Sequence, residues 1–405
     1  MTLPSSTLFV RKKIKKPLGF GRRIAVLPVI ALAVAAGFVE TAAFSGSGDE
    51  WRRAEGGWAW SFPRDHGAHP EFKAEWWYFT GNLSDAGGAR YGYQLTFFRR
   101  GVRFEASHPA NPWSVRDVFM GHFTLTDAGR RTFRAEDLLS RAGPGLARTG
   151  TGKPGPGLAG AKTDGLEVWL LNWSARMKNG KVQLEARRGG IEIRLTLMPR
   201  KSAVLHGEKG LSRKGPGEGQ ASFHSSITDL ETRGEIVLEQ GGRRIPVSGK
   251  SWFDHEFGSE MLGKDLIGWD WFSLHLSDGA DLMIYLLRRA DGSIEPASAG
   301  TFIPASGAAR RLTLGDISVE ALDRWRSGKS GGVYPSRWRI RIAKEGIDLL
   351  IAPLLDDQEL VSAGLPDLVY WEGAVEGKGR SGGREVSGEG YVELTGYAGN
   401  LRRVF

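Results

Sequence analysis

The stretch 75–97, EWWYFTGNLSDAGGARYGYQLTF, decides the fold. Its second half sets Tyr91, Tyr93, Leu95 and Phe97 at alternate positions, the period of a strand with one apolar face. Its first half, Glu75 to Leu83, supplies a partner strand, and Ser84-Asp85-Ala86-Gly87-Gly88 between them has the composition of a turn. Together they predict an antiparallel hairpin. The same theme continues down the chain. Ala175 to Lys178 faces Lys181 to Arg187 across Asn179-Gly180, a dipeptide suited to the positive φ angles of a type I′ turn. Gly189-Gly190, Gly241-Gly242, Ser277-Asp278-Gly279, Asp291-Gly292 and Glu345-Gly346 extend the series. Only Ile317 to Arg326 has helical spacing, and a short helix is expected there. Strands that follow one another at roughly ten-residue intervals without helices between them argue for an all-β protein of antiparallel barrels or sandwiches.

With 405 residues the chain can build two domains, each with its own core. The 14 Trp, 19 Phe and 8 Tyr supply large buried areas, and 57 Gly suit many tight turns. Cysteine is absent, which excludes disulfides, thiolate metal sites, a cysteine nucleophile and a lipid-modified cysteine. The formal charge of +9 is confined to one end: seven of the 55 basic residues and none of the 46 acidic ones lie before Gly37, so the remainder carries 48 against 46. A nucleic-acid partner is therefore not expected. The basic cluster Arg11 to Arg23 precedes an apolar run, Ile24 to Ala36, and small residues at Ala35-Ala36-Gly37 and Thr41-Ala42-Ala43. This layout reads as a signal peptide over residues 1–45, cleaved after Ala36 or Ala43, with an uncleaved anchor as the alternative. Arg22-Arg23 matches twin-arginine export poorly.

Two Gly/Pro-rich stretches, Ala142 to Lys162 and Arg213 to Gln220, have the composition of linkers. The domain boundary is placed instead between Phe257 and Asp265, giving domains over 50–257 and 262–405, because the strands then divide into two sets each large enough to close a barrel, a choice that also leans on the family resemblance given below.

Three segments concentrate residues that do chemistry. In the first, Asp65, His66 and His69 run toward Glu75-Trp76-Trp77-Tyr78. Imidazole and carboxylate can hold a divalent ion, but Gly67 and the flanking prolines remove the helical geometry that would make the spacing informative. These side chains can equally hydrogen-bond one another and anchor the entry to the first strand. In the second, Trp252-Phe253-Asp254-His255-Glu256-Phe257-Gly258, an imidazole stands between two carboxylates in sequence, so a general acid or base could be built there, or merely a charged corner. In the third, Trp269, Trp271, Ser273 and His275 face one way along a strand, and Asp270, Phe272, Leu274 and Leu276 the other. A carboxyl on an apolar stripe is costly unless paired or protonated, so Asp270 is either a protonated acid facing an apolar ligand or is satisfied by nearby backbone N–H groups. No phosphate loop is present: Asp265 follows Gly263-Lys264 where a phosphate loop needs Ser or Thr.

Phe62 to Pro70, Glu75 to Tyr78, Gly121-His122-Phe123, His206-Gly207, Asp254 to Gly258 and Gly268 to Trp271 together resemble the AttH-like, carotenoid 1,2-hydratase family across nearly the whole mature chain. The resemblance implies two tandem lipocalin-like antiparallel β-barrels with a pocket in or between them. It implies different activities on different branches: hydration of an isoprenoid double bond, secreted hydrolysis, or ligand handling beside an ABC transport system. Glu256-Phe257 departs from the hydratase pattern after His255, whereas Pro63 to Pro70 fits the AttH-like branch. The leading expectation is an exported, periplasmic protein that binds a hydrophobic small molecule, a lipid or isoprenoid, with an ABC permease as a further partner. The alternative is an acid-catalysed hydratase or isomerase with Asp270 as donor and His255 oriented by Asp254 or Glu256, or else a hydrolase. The walls of the site are expected from Glu75, Trp76, Trp77, Tyr78, Trp252, Trp269, Trp271 and His224, with no metal and no cofactor.

Overall fold

The computed structural model describes residues 51–102, 115–141, 158–260, 263, 265–365 and 367–398. The leader expected over residues 1–45, and residues 142–157 of the first Gly/Pro-rich stretch, lie outside these.

The opening hairpin forms as the alternation requires. Ala74–Ser84 pairs with Arg90–Gly101, with Leu83 opposite Tyr91 and Trp77 opposite Phe97. Tyr91, Tyr93, Leu95 and Phe97 all enter the core of the first barrel. Asn179 and Gly180 take φ of 52° and 72°, the left-handed pair that lets Trp173–Lys178 double back onto Lys181–Arg188.

The described residues form two antiparallel sheets, of thirteen and ten strands. One curls into a nearly closed barrel and the other into a half-barrel. The first sheet runs through strand Ile245–Gly258 and the second begins at Leu266–Leu276. Each is joined by its chain ends: Ala74–Ser84 pairs with Ile245–Gly258, and Leu266–Leu276 with Arg384–Thr395. One expectation fails. Ile317 to Arg326 is not a helix; Ser318–Arg326 is a strand paired with Val333–Ile342, and its register shifts at Leu322. That irregularity breaks the two-residue period, so the apolar positions imitate helical spacing.

Strands that meet the opposite sheet are buried on both faces. Ala74–Ser84 and Leu266–Leu276 are almost continuously buried, whereas Lys181–Arg188 alternates exposed and buried because its outer face meets water. On the doubly buried strands one face fills a barrel, and the other packs against the second sheet. The sheets approach closely at Gly92, where an added Cβ would lie 2.5 Å from the Ala374 Cβ. Polar ties fix their relation: Lys201 Nζ reaches Asp281 Oδ2 at 2.6 Å, Thr228 donates to the same oxygen at 2.8 Å, and Asn82 Nδ2 donates to the Gly390 carbonyl at 2.9 Å.

Candidate active site between the sheets

Alternation along five strands decides which side chains share a wall. Trp76 and Tyr78 on Ala74–Ser84, Asp254 and Glu256 on Ile245–Gly258, and Trp269 and Trp271 on Leu266–Leu276 all point into the space between the sheets. His224 joins them from Ala221–Val237, and Glu393 from Arg384–Thr395. They enclose a cavity of about 170 Å³, whose apolar walls also include Phe98 and Leu287. Lys214 and Tyr285 complete its polar side.

The polar side is a connected network. His224 pairs with Glu256 in register, so its ring lies between the two carboxylates: Nε2 is 3.2 Å from Asp254 Oδ2 and Nδ1 is 3.6 Å from Glu256 Oε2. Asp254 Oδ1 accepts from Trp252 Nε1 at 2.6 Å and from the Ser226 hydroxyl. Glu256 Oε1 accepts from Ser222 and from Lys214 Nζ, the latter at 2.8 Å. Burial opposes charge on Asp254, yet His224 and His206 beside it hold its pKa below the ordinary carboxylate value. Burial likewise opposes Glu256, and Lys214 and then His224 hold it down. Glu393 goes the other way. Burial pushes its pKa up to about 7, a hydrogen bond from Trp269 Nε1 at 2.9 Å works against that rise, and the charges of Glu256 and Asp254 add to it.

Several residues expected at the site lie elsewhere. His255, next to Asp254 in sequence, points to the opposite face and is oriented by neither Asp254 nor Glu256. Its Nε2 is 2.9 Å from Glu75 Oε1 and its Nδ1 2.9 Å from the Asp65 carbonyl. Glu75 and Trp77 share that face, turned toward the first barrel. Glu75 accepts from the His69 backbone N–H at 3.0 Å, pairs with His69 Nδ1 at 2.9 Å, and accepts from Arg99 Nε at 3.0 Å. Burial opposes its charge, but Arg99 and then the two imidazoles hold its pKa far below the usual range. Asp65 accepts from the Ser61 backbone N–H at 2.5 Å and from Arg64 Nε at 2.8 Å. His66 stacks near Phe62 and its carbonyl receives Trp77 Nε1 at 3.0 Å. The Asp65, His66 and His69 segment thus anchors the entry to the first strand. Trp252 lies buried behind Asp254.

Asp270 does not line the cavity. It shares the inner face of the second barrel with Phe272 and Leu274, where Arg288 Nε meets Oδ1 at 2.9 Å and Tyr397 donates to Oδ2 at 3.0 Å. Burial raises its pKa against the pull of Arg288. Its partners are side chains rather than the backbone N–H groups weighed from sequence. The raised acid that faces the cavity is Glu393, which sequence reasoning missed. Its signal was present: in Tyr391-Val392-Glu393-Leu394-Thr395 an acid interrupts an otherwise apolar strand. Nothing local marks Lys214.

Among the described residues two side-chain groups have the donors for a divalent ion: His69, Glu75 and His255, and His206, His224 and Asp254. In the first, Arg99 and the His69 backbone N–H already occupy Glu75. In the second, His206 is engaged on both nitrogens, by Thr301 at 2.8 Å and Ser226 at 2.5 Å. The first set fits a hydrogen-bond network better than a coordination shell, and in the second only His206 and Asp254 are so engaged.

A family model described as AttH-like matches residues 53–397. Among solved structures, a protein of Nitrosomonas europaea assigned as an AttH is similar at 35% identity with a TM-score of 0.73, over 86% of this chain and 100% of that one. Kievitone hydratase from Nectria haematococca shares the fold at 16% identity with a TM-score of 0.58, over 80% of this chain and 89% of that one. No curated protein matches the sequence significantly.

Proposed function

The chain belongs to the AttH-like family, and on that premise we propose that it takes a hydrophobic small molecule between its sheets and acts on it by proton transfer, as a hydratase or isomerase of an unsaturated carbon skeleton. One observation carries this reading. A single cavity holds a carboxyl raised to about 7, Glu393, and two carboxyls held low, Asp254 and Glu256. Titratable groups driven apart in one site are the arrangement that assigns an acid and a base. A protein that only stored its ligand would bear the cost of these buried charges without return.

In the forward direction Glu393 gives its proton to one carbon of a double bond, and the positive charge that develops on the other carbon faces the aromatic walls, Trp76, Trp269 and Trp271. Water adds to that carbon while His224, held by Asp254, takes the water's proton. The product is an alcohol; Glu393 is left as carboxylate and His224 as imidazolium, and exchange with solvent resets both. Existence of a hydratase with the same fold agrees with this chemistry. The basic-then-apolar leader supports work on the periplasmic side, with a permease as the source of ligand; cell fractionation that finds the full-length chain only in the cytoplasm would remove that part.

The test is a screen of terpenoid and polyene substrates, read by mass spectrometry for gain or loss of one water or for isomerisation. Turnover that disappears in Glu393→Gln while binding persists supports the enzyme. Binding without turnover of any substrate, unchanged in Glu393→Gln, would make the protein a carrier.

A further inference from the structure

Behind Tyr78, further in between the sheets, lies a second group of polar side chains that the cavity chemistry does not use. Tyr78 donates from its hydroxyl to Glu372 Oε1 at 2.5 Å. His122 Nδ1 meets the Tyr370 hydroxyl at 2.6 Å, and Gln94 hydrogen-bonds the same phenol. Glu372, His122 and Gln94 are each 0% exposed, which shuts them off from bulk solvent. Yet Glu372 Oε2, His122 Nε2 and Gln94 Oε1 meet no protein partner. Buried polar atoms in native proteins are paired, with protein or with ordered water, and these three, on residues gathered about Tyr370, need an explanation.

We propose that these three atoms bind an internal water, and that Glu372 and Glu393 form a carboxyl pair that retains one proton at neutral pH. The donors and acceptors match. With the Tyr370 hydroxyl donating to Nδ1, the neutral His122 ring carries its proton on Nε2; burial, which lowers its pKa to about 4, keeps it neutral. Glu372 with its proton on Oε2 is a second donor, and Gln94 Oε1 is an acceptor. One water accepts from the first two and donates to the third, which meets the two to four partners that a buried water requires.

The pair rests on register. Glu372 and Glu393 are directly opposite on the paired strands Val369–Ser381 and Arg384–Thr395, on the face turned to the first sheet. Opposed side chains of this kind are in contact distance, and two carboxyls so placed in a low-dielectric layer do not both ionise. The groups facing Glu372 are Tyr78 from the first sheet and, on its own sheet, Tyr391, Tyr370 and Glu393; Asp254 and Glu256 face Glu393 across the cavity. At the cavity Lys214 pairs with Glu256, His224 lies between Asp254 and Glu256, and Arg100 joins the wall, whereas the groups acting on Glu372 are Glu393 and Tyr78. Burial and the charge of Glu393 both favour the proton on Glu372, against the hydrogen bond from Tyr78. Glu372 is thus a positioning residue: it keeps the second proton of the pair and leaves Glu393 free to give up the first.

This inference goes beyond the catalytic reading, because both properties belong to the protein without ligand, and turnover plays no part in the readout. Infrared spectra of the carboxyl C=O band, recorded through a pH titration on folded protein, are expected to show a protonated buried carboxyl persisting at about pH 8. Glu372→Gln should lose that band, and Glu393→Gln, which removes the neighbouring charge, should make it fade at a lower pH than in the wild type; a band that titrates identically in Glu393→Gln would overturn the pair. Absence of the band from the wild type, or its survival in folded Glu372→Gln, would overturn the pair. His122→Phe removes one partner of the water and touches neither carboxyl; a shifted Glu372 band supports the water, and an unshifted one overturns it. A high-resolution crystal structure gives an independent reading, with an ordered water between Glu372, His122 and Gln94 expected and repacked side chains in its place as the contrary result.

Discussion

His224 Nε2 stands 3.2 Å from Asp254 Oδ2, although it lies on a different strand, while His255, the sequence neighbour of Asp254, faces away from it. Side chains of a strand alternate between its faces, so an imidazole that separates two acids in sequence is the residue least able to lie between them in space. The neighbouring strand supplies the imidazole instead. His224 therefore faces the cavity and His255 the first barrel, on opposite sides of one sheet.

Exchanging each histidine in turn tests the two sides separately. His224→Gln is expected to lower kcat by about 10²-fold or more with little change in melting temperature. His255→Gln should cost about 1–3 kcal/mol of stability, since it leaves Glu75 and the Asp65 carbonyl short of a donor, and should leave kcat per folded molecule intact. Thermal melts and single-substrate kinetics on both variants decide, and the opposite pattern would move the site to the other face.

Glu393 is expected to leave a signature in pH. As the acid it acts only when protonated, so the rate falls as pH rises through about 7, and Glu393→Gln lowers kcat while ligand affinity stays. Stability follows the same proton. Its folded pKa is raised, so its contribution is fully present below the ordinary glutamate range and is lost as pH rises through about 7. Glu393→Gln should therefore melt higher than the wild type in mildly alkaline buffer and alike in acid; equal melting at both ends would refute the raised pKa.

Around Glu75 the sign reverses. Its folded pKa is depressed, so its contribution is present above the ordinary glutamate range and is lost as pH falls toward the folded value. Glu75→Gln should melt lower than the wild type at neutral pH and show a flatter decline in acid. Arg99→Met leaves a buried carboxylate without its cation and should cost about 3–5 kcal/mol by chemical denaturation. A loss below about 1 kcal/mol would mean that the network is not a source of stability.

Aromatic walls make their own prediction. Trp271 packs edge-on against Tyr78 with ring centroids 5.1 Å apart, and removing it as Trp271→Ala should weaken ligand binding about 30-fold, the effect of losing one hot-spot side chain. Trp173→Ala, in the core of the first barrel, should lower stability and leave Kd alone. Titration calorimetry with any ligand found in the screen checks both.

The hairpins were legible because their information is local. Tyr91 to Phe97 alternates, Asn179-Gly180 turns, and each needs nothing distant. Ile317 to Arg326 was misread because the shift at Leu322 disguises a strand. At the site, alternation does sort Asp254 from His255 and Asp270 from Trp271. What it does not contain is which faces meet. That depends on two sheets packing, and only then do Lys214 and Glu393, distant in sequence, come to share a cavity with Asp254.

The pairing of the first and last long strands of each half sets the order in which the chain can mature. The seam between Ala74–Ser84 and Ile245–Gly258 can close once the ribosome or a translocation pore has released Gly258, whereas the second seam waits for Thr395. Partners so remote along the chain make for slow folding, with unpaired strand edges open to aggregation in the interval. A truncation shortly before Arg384 would thus spare the first seam, leave Leu266–Leu276 without its partner in the second, and remove Glu393 together with the strand that carries it.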